Sequence, residues 1–153
     1  MIDFSEWLAI GRWRTDPVDP AIRDRPAEIF AAATLQKLRR RLKREGHGLA
    51  DLGDEARHEV RILAKKLRYA SEFFVGLFPG KKPERRARAF LKALEALQTH
   101  LGDLNDLAHA PSVYARWNID VAPVECSPKR RRKLLRKAAE AHEILCDTKP
   151  FWR

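Results

Sequence analysis

Apolar residues recur along most of the chain at spacings of three and four, and no stretch of useful length alternates as a β-strand does. The pattern predicts an all-α protein. Glycine and proline positions divide it into helices, which we expect at residues 3–13, 24–45, 54–78, 84–108 and 128–147, with a short helical piece at 112–118. The connections are short, which favours an antiparallel, up-and-down helical bundle forming a single domain over residues 1–153.

The helix predicted at 54–78 has an apolar side and a cationic side. With His58 at zero and 100° between residues, the apolar side covers roughly 40° to 180°. It consists of Ile62, Leu63, Leu67, Ala70, Phe73, Phe74 and Leu77. The cationic row, which we define as His58, Arg61, Lys65 and Arg68, falls with Glu72 in a sector of about 80°. Cations repeating about every 5 Å can meet successive charges of one extended anion.

A basic stripe on a helix is most often a solvated face, and that simpler interpretation applies to the cationic row as well. Two features favour a ligand instead. The row includes a histidine, which adds little charge at pH 7. Like charges at i, i+4 spacing also repel each other, so the row is destabilising unless an anion lies among its members.

The helix predicted at 24–45 adds further cations. Lys37 and Arg41 lie beside its apolar side, so we expect them to turn toward a groove shared with the cationic row. Arg39, Arg40 and Lys43 are expected to point to solvent. Lys37 and Arg41 therefore join the cationic row as candidate anion-binding residues.

The helix predicted at 84–108 carries a small polar stripe, Gln98, Gly102 and Asn105, beside its apolar stripe. A glycine inside a helix costs about 1 kcal/mol relative to alanine. Gly102 therefore predicts a close approach by a neighbouring element. Asp103 or Asp106 is a candidate partner for an arginine of the 54–78 helix through a charge-assisted hydrogen bond. Charge at the end of a helix without any partner is the equal alternative.

The charge balance narrows the class of partner. The chain has 31 Lys+Arg against 21 Asp+Glu, a formal net charge of +10, which points to a nucleic acid, a membrane surface or a polyphosphate. Neither a transmembrane run nor a signal peptide is apparent, so we expect a cytoplasmic protein. Two cysteines without a CxxC motif predict neither a disulfide framework nor a structural zinc site. A metal site formed by His58 with His47, His100 or His109 is not predicted, because these residues are far apart in the sequence and cations flank them. The sequence contains no P-loop and no HExxH motif, so we predict no enzyme and no cofactor.

Three motifs in order resemble one family. They are His58-x-x-Arg61-Ile62-x-x-Lys65-x-Leu67-Arg68-Tyr69-Ala70-x-Glu72-Phe73-Phe74, then Leu97-Gln98-x-x-Leu101-Gly102-Asp103-Leu104-Asn105-Asp106, then Lys149-Pro150-Phe151-Trp152. Residues 58–108 resemble the C-terminal half of the CHAD family, the conserved-histidine α-helical domain. The resemblance implies a helical bundle whose basic groove binds inorganic polyphosphate through His58, Arg61, Lys65 and Arg68. It also implies a CYTH-type triphosphatase as a partner, and association with polyphosphate granules.

The chain departs from the family in one respect. A complete CHAD domain has two related halves, each with its own His-x-x-Arg helix, and this sequence has one such helix. Either the chain is part of a larger domain or two copies pair, and we predict a homodimer. The predicted function is non-catalytic polyphosphate binding. The alternatives are a helical nucleic-acid-binding protein and an accessory domain to a CYTH-type phosphate-metabolising enzyme.

Overall fold

The computed structural model describes residues 25–117 and 127–153, in which four α-helices occur and no strand. They are α1 (Ala27–Glu45), α2 (Asp54–Phe74), α3 (Lys81–Trp117) and α4 (Pro128–Asp147), and a 3-10 turn at Val75–Leu77 follows α2. The all-α prediction is confirmed. The helix predicted at 3–13 lies outside the described residues.

Local signals account for most helix ends. α1 begins after Pro26, whose fixed φ suits a helix start, and it ends at Gly46. α4 has the predicted bounds, and the hydroxyl of its N-cap residue Ser127 accepts a hydrogen bond from the backbone N–H of Arg130 at 3.3 Å. α2 begins as predicted but gives way to the 3-10 turn at Val75, a little earlier than expected.

The predicted break before Pro111 is wrong, because α3 is one helix from Lys81 to Trp117. Proline removes one N–H from the hydrogen-bond ladder, and this is why the sequence predicted two pieces. The helix around Pro111 lies against the start of α4, where Ala110 and Tyr114 line a cavity together with Arg130. These tertiary contacts favour a single rod over a break.

The four helices form an up-and-down bundle. Phe30 near the start of α1 meets Phe74 at the end of α2, with ring centroids 6.1 Å apart, so these two helices are antiparallel. α2 also packs against α3, and α3 against α4. The core is built from leucine and alanine of all four helices together with Phe90, against which Phe151 and Trp152 pack edge-on at 6.2 and 5.1 Å.

Polar contacts join the end of α4 to α1. The buried His142 donates from Nε2 to the carbonyl of Leu42 at 3.2 Å. Arg39 donates from Nη2 to the carbonyls of Cys146 at 2.8 Å and Thr148 at 3.1 Å. The prediction that Arg39 points to solvent is therefore wrong. The last carbonyls of a helix lack donors within the helix, and Arg39 supplies them.

Candidate anion-binding groove

The buried side of α2 differs from the predicted apolar side. Its buried residues are Arg57, Val60, Leu63, Ala64, Leu67 and Ser71. They cover about 140° to 260° from His58, so the predicted range of 40° to 180° is displaced. Phe73, predicted to be apolar-facing, is 82% exposed. The small side chains of Ala64 and Ser71 face the bundle, and the cationic row borders the buried side.

The cationic row lies along the seam between α2 and α3. The imidazole Nδ1 of His58 is 3.3 Å from the carboxamide Oδ1 of Asn105. Because the two helices are antiparallel, each step of three or four residues forward on α2 matches one backward on α3. This register brings Arg61 level with Gly102, and Lys65 level with Gln98. The cationic row and the polar stripe of α3 thus form two walls, which we call the α2–α3 groove.

Gly102 leaves space in the α2–α3 groove. A Cβ at this position would meet no atom within 4 Å beyond its own surroundings in the helix. The predicted close approach by a neighbouring element is therefore wrong. A helical glycine is equally compatible with an open gap, and here the gap lies on the wall that the cationic row faces.

Three buried N–H donors on this seam have no hydrogen-bond acceptor in the described part of the chain. They are Nε of Arg57, Nε of Arg68 and Nε2 of Gln98. Arg68 Nε also lies 3.2 Å from Glu72 Oε1 as an ion pair, but without hydrogen-bond geometry. A buried donor without an acceptor is unfavourable by about 1–3 kcal/mol.

One end of the groove widens into a cavity of about 220 Å³. Its lining comprises Asp54, Glu55, Arg57, His58, Leu101, Leu104, Asn105, Ala108 and His109. The buried Arg57 contacts the Leu52 carbonyl and lies 2.6 Å from Asp54 Oδ1. Arg131 of α4 also reaches this carboxylate at 2.8 Å. The hydrogen bond from Arg57, joined by that from Arg131, holds the pKa of Asp54 below its usual value.

The acids that pair with arginines of α2 belong to α2 itself. In residues 25–117 and 127–153 they are Asp54 and Glu72, so the prediction that Asp103 or Asp106 holds such an arginine is wrong. Both aspartates are exposed and line a cavity that faces Arg130 of α4. α3 turns them away from α2 because they flank the polar stripe rather than belong to it.

Lys37 and Arg41 do not share the α2–α3 groove. Both are exposed on α1, in a concave patch lined by α1 residues alone, and Arg41 Nε pairs with Glu45 Oε1 at 2.8 Å. α1 packs on a different side of α2 from α3, as the contact between Phe30 and Phe74 indicates. The predicted site is therefore divided between two surfaces, and the structure brings together only the cationic row.

The polar stripe predicted from the sequence contains Asn105 and Gln98, but no contact between them and the cationic row was predicted. The signal that would have done so is their spacing, which repeats that of the row in the opposite direction. The part of the chain that the structure describes contains no group of three or more potential metal ligands. No helix in that part is both long and apolar enough to cross a membrane.

The fold and the groove define a class of protein, an all-α bundle with a cationic groove between two antiparallel helices. The family model of the CHAD domain matches residues 2–115, about three quarters of the chain. The chain therefore belongs to the CHAD family. The match reaches beyond residues 58–108 on both sides and ends before Lys149-Pro150-Phe151-Trp152. No curated protein and no solved structure matches the chain.

Proposed function

We propose that this chain is a non-catalytic domain that binds inorganic polyphosphate in the α2–α3 groove. The observation that carries the proposal is the cationic row, which is half-exposed and faces the polar stripe of α3 across one groove. Membership of the CHAD family supports it, because CHAD domains are associated with polyphosphate and with CYTH proteins. A CYTH-type triphosphatase as partner and an association with polyphosphate granules belong to the same proposal.

The geometry favours a polymer over a single phosphate. From His58 to Arg68 the row extends about 15 Å along α2. Arginine and lysine offer several donors each, and charge-assisted hydrogen bonds to phosphate are the stronger kind. No carboxylate of the described residues forms an ion pair with Arg61 or Lys65, whereas Arg68 is paired with Glu72. We therefore expect Arg61 and Lys65 to contribute most to binding.

The test is the double substitution Arg61→Ala/Lys65→Ala. We expect affinity for long-chain polyphosphate to fall about tenfold or more, because charge-assisted contacts contribute about 1.5–3 kcal/mol each. The slope of log K against log salt should decrease by roughly one for each cation removed. Titration calorimetry across a salt series measures both quantities.

A matched control separates the groove from the overall charge. Lys66→Ala/Arg88→Ala removes two exposed cations that lie outside the groove, so it should change the affinity far less. Equal losses in the two double variants would mean that binding follows net charge alone. Undiminished binding by Arg61→Ala/Lys65→Ala would exclude the α2–α3 groove as the site.

Nucleic acid is the second candidate ligand, and one observation favours it. Tyr69 and Phe73 are 57% and 82% exposed on the same helix as the cationic row, where bases could stack on them. Competition distinguishes the two ligands: polyphosphate should displace a single-stranded RNA at lower phosphate concentration than the RNA displaces polyphosphate. We also expect no hydrolysis of tripolyphosphate in the presence of magnesium.

A further inference from the structure

We propose that Asn105 is a positioning residue that fixes the protonation of His58, so that the binding of a polyanion at this histidine takes up one proton. The part that concerns the ligand rests on the proposed function. The part that concerns the free protein, which is the location of the proton on the His58 ring, stands on the geometry alone.

The contact between the two side chains determines which ring nitrogen carries hydrogen. Asn105 Oδ1 faces His58 Nδ1 at 3.3 Å across the α2–α3 groove, and both residues are half-buried. A carboxamide oxygen only accepts hydrogen bonds. Nδ1 is therefore the protonated nitrogen of the neutral ring, and Nε2 carries the lone pair.

In this tautomer the neutral histidine cannot donate a hydrogen bond to phosphate from Nε2, because Nε2 carries no hydrogen. The oxygens inside a polyphosphate chain carry no protons, so they only accept. Two acceptors repel, and a phosphate oxygen at Nε2 therefore selects the imidazolium form. One proton from solvent then binds to Nε2. In the complex Nδ1–H donates to Asn105 and Nε2–H donates to the phosphate, and both nitrogens are satisfied.

The groups around His58 include no acid that is paired with its ring in the described part of the chain. The charged or titratable residues that line the same cavity are Asp54, Glu55 and Arg57 of α2 and His109 of α3. α4 reaches the cavity through Arg131, which contacts Asp54, and no residue of α1 lines it. Asp54 is already engaged by two guanidinium groups, and no described carboxylate forms an ion pair with His58. In the complex, the anion that pairs with the imidazolium is therefore the ligand itself.

Proton uptake is measured by calorimetry with long-chain polyphosphate at pH 7.5, in buffers of different ionisation enthalpy. For the wild-type chain we expect close to one proton per occupied groove. In Asn105→Leu the ring is free to adopt the Nε2–H tautomer, which donates while neutral. Uptake should fall below half of the wild-type value. Asn105→Ser serves if the leucine variant does not fold.

Two control variants define the lowest and the highest proton uptake expected. His58→Gln cannot titrate and should show no uptake. Gln98→Leu replaces a polar groove residue on the same helix and leaves the contact between Asn105 and His58 intact, so it should weaken binding and retain full uptake. Equal loss of uptake in Gln98→Leu and Asn105→Leu would overturn the role of Asn105.

Nitrogen-15 NMR of the histidines tests the free protein without any ligand. We expect His58 in the Nδ1–H form in the wild type and in the Nε2–H form in Asn105→Leu. An Nε2–H wild-type ring overturns the inference, and so does polyphosphate binding without proton uptake. A wild-type chain that binds no polyphosphate overturns the proposed function, and the NMR result then still decides the role of Asn105.

Discussion

His142 is buried at the junction of α4 and α1, where the ring lies against Gly46 and donates to the Leu42 carbonyl. Burial disfavours the charged imidazolium and lowers the pKa of His142, and the hydrogen bond to Leu42 offsets this only in part. A side chain at Gly46 would collide with the ring, so the site depends on a residue without Cβ. The junction therefore favours the neutral form of His142.

Acidification should weaken this junction. The folded-state pKa of His142 lies below the unfolded value of about 6.5, so the unfolded chain binds more protons between these two values. The contribution of neutral His142 to the free energy of unfolding is complete above pH 6.5, and it decreases as the pH falls toward the folded-state pKa. The decrease is at most about 1.4 kcal/mol per pH unit. Urea unfolding between pH 5 and 7.5, compared with His142→Gln, measures it; equal pH profiles would contradict the prediction.

Single residues differ in how far the sequence revealed their roles. The cationic row was found because its members share one helix, and helical periodicity alone places them together. Asn105 and Gly102 could not be assigned because their roles depend on the register between α2 and α3. Arg39 was assigned to solvent because the carbonyls that it binds are more than a hundred residues away in the chain.

At the scale of elements, Arg39 fastens the end of α4 to α1. In Arg39→Ala the carbonyls of Cys146 and Thr148 lose this donor, and we expect the free energy of unfolding to fall by about 1–3 kcal/mol. Arg40→Ala, an exposed neighbour, should change it by less than about 0.5 kcal/mol. Urea denaturation followed by circular dichroism gives both values, and equal effects would mean that the contact contributes nothing.

Helix boundaries were predicted correctly where residues close in sequence determine them. The starts of α4 and α2 were predicted correctly, because a cap such as Ser127 and an acidic first turn act within a few residues. The continuation of α3 through Pro111 was not predicted. Proline locally favours a helix break, and the contacts with α4 outweigh that preference. The buried side of α2 was displaced because Ala64 and Ser71, which are small or polar, face the bundle.

At the scale of the whole molecule, large apolar side chains remain at the surface. Phe73 is 82% exposed and Phe30 is 61% exposed, and both contact Phe74 at one end of the α1–α2 pair. Exposed apolar residues grouped in this way are typical of an interaction surface. The homodimer stays a prediction, and this group of residues is the surface at which it can be tested; the like charges of two copies would oppose the association.

Light scattering at micromolar concentration tests the homodimer. We expect twice the monomer mass for the wild-type chain and the monomer mass for Phe73→Ser, because the substitution removes apolar area from the patch. Ile144→Ser is the matched control, since Ile144 is an exposed apolar residue on α4. A wild-type monomer, or a Phe73→Ser variant that still pairs, contradicts this assignment.

The α2–α3 groove runs along the outside of the bundle, and its cationic wall is half-exposed over its length. A ligand can therefore enter from the side, at any point along its own length, without first presenting an end as a tunnel would require. If polyphosphate is the ligand, one polymer chain can bind many copies of the protein side by side along its length. Occupancy would then scale with the total mass of polymer rather than with the number of chains.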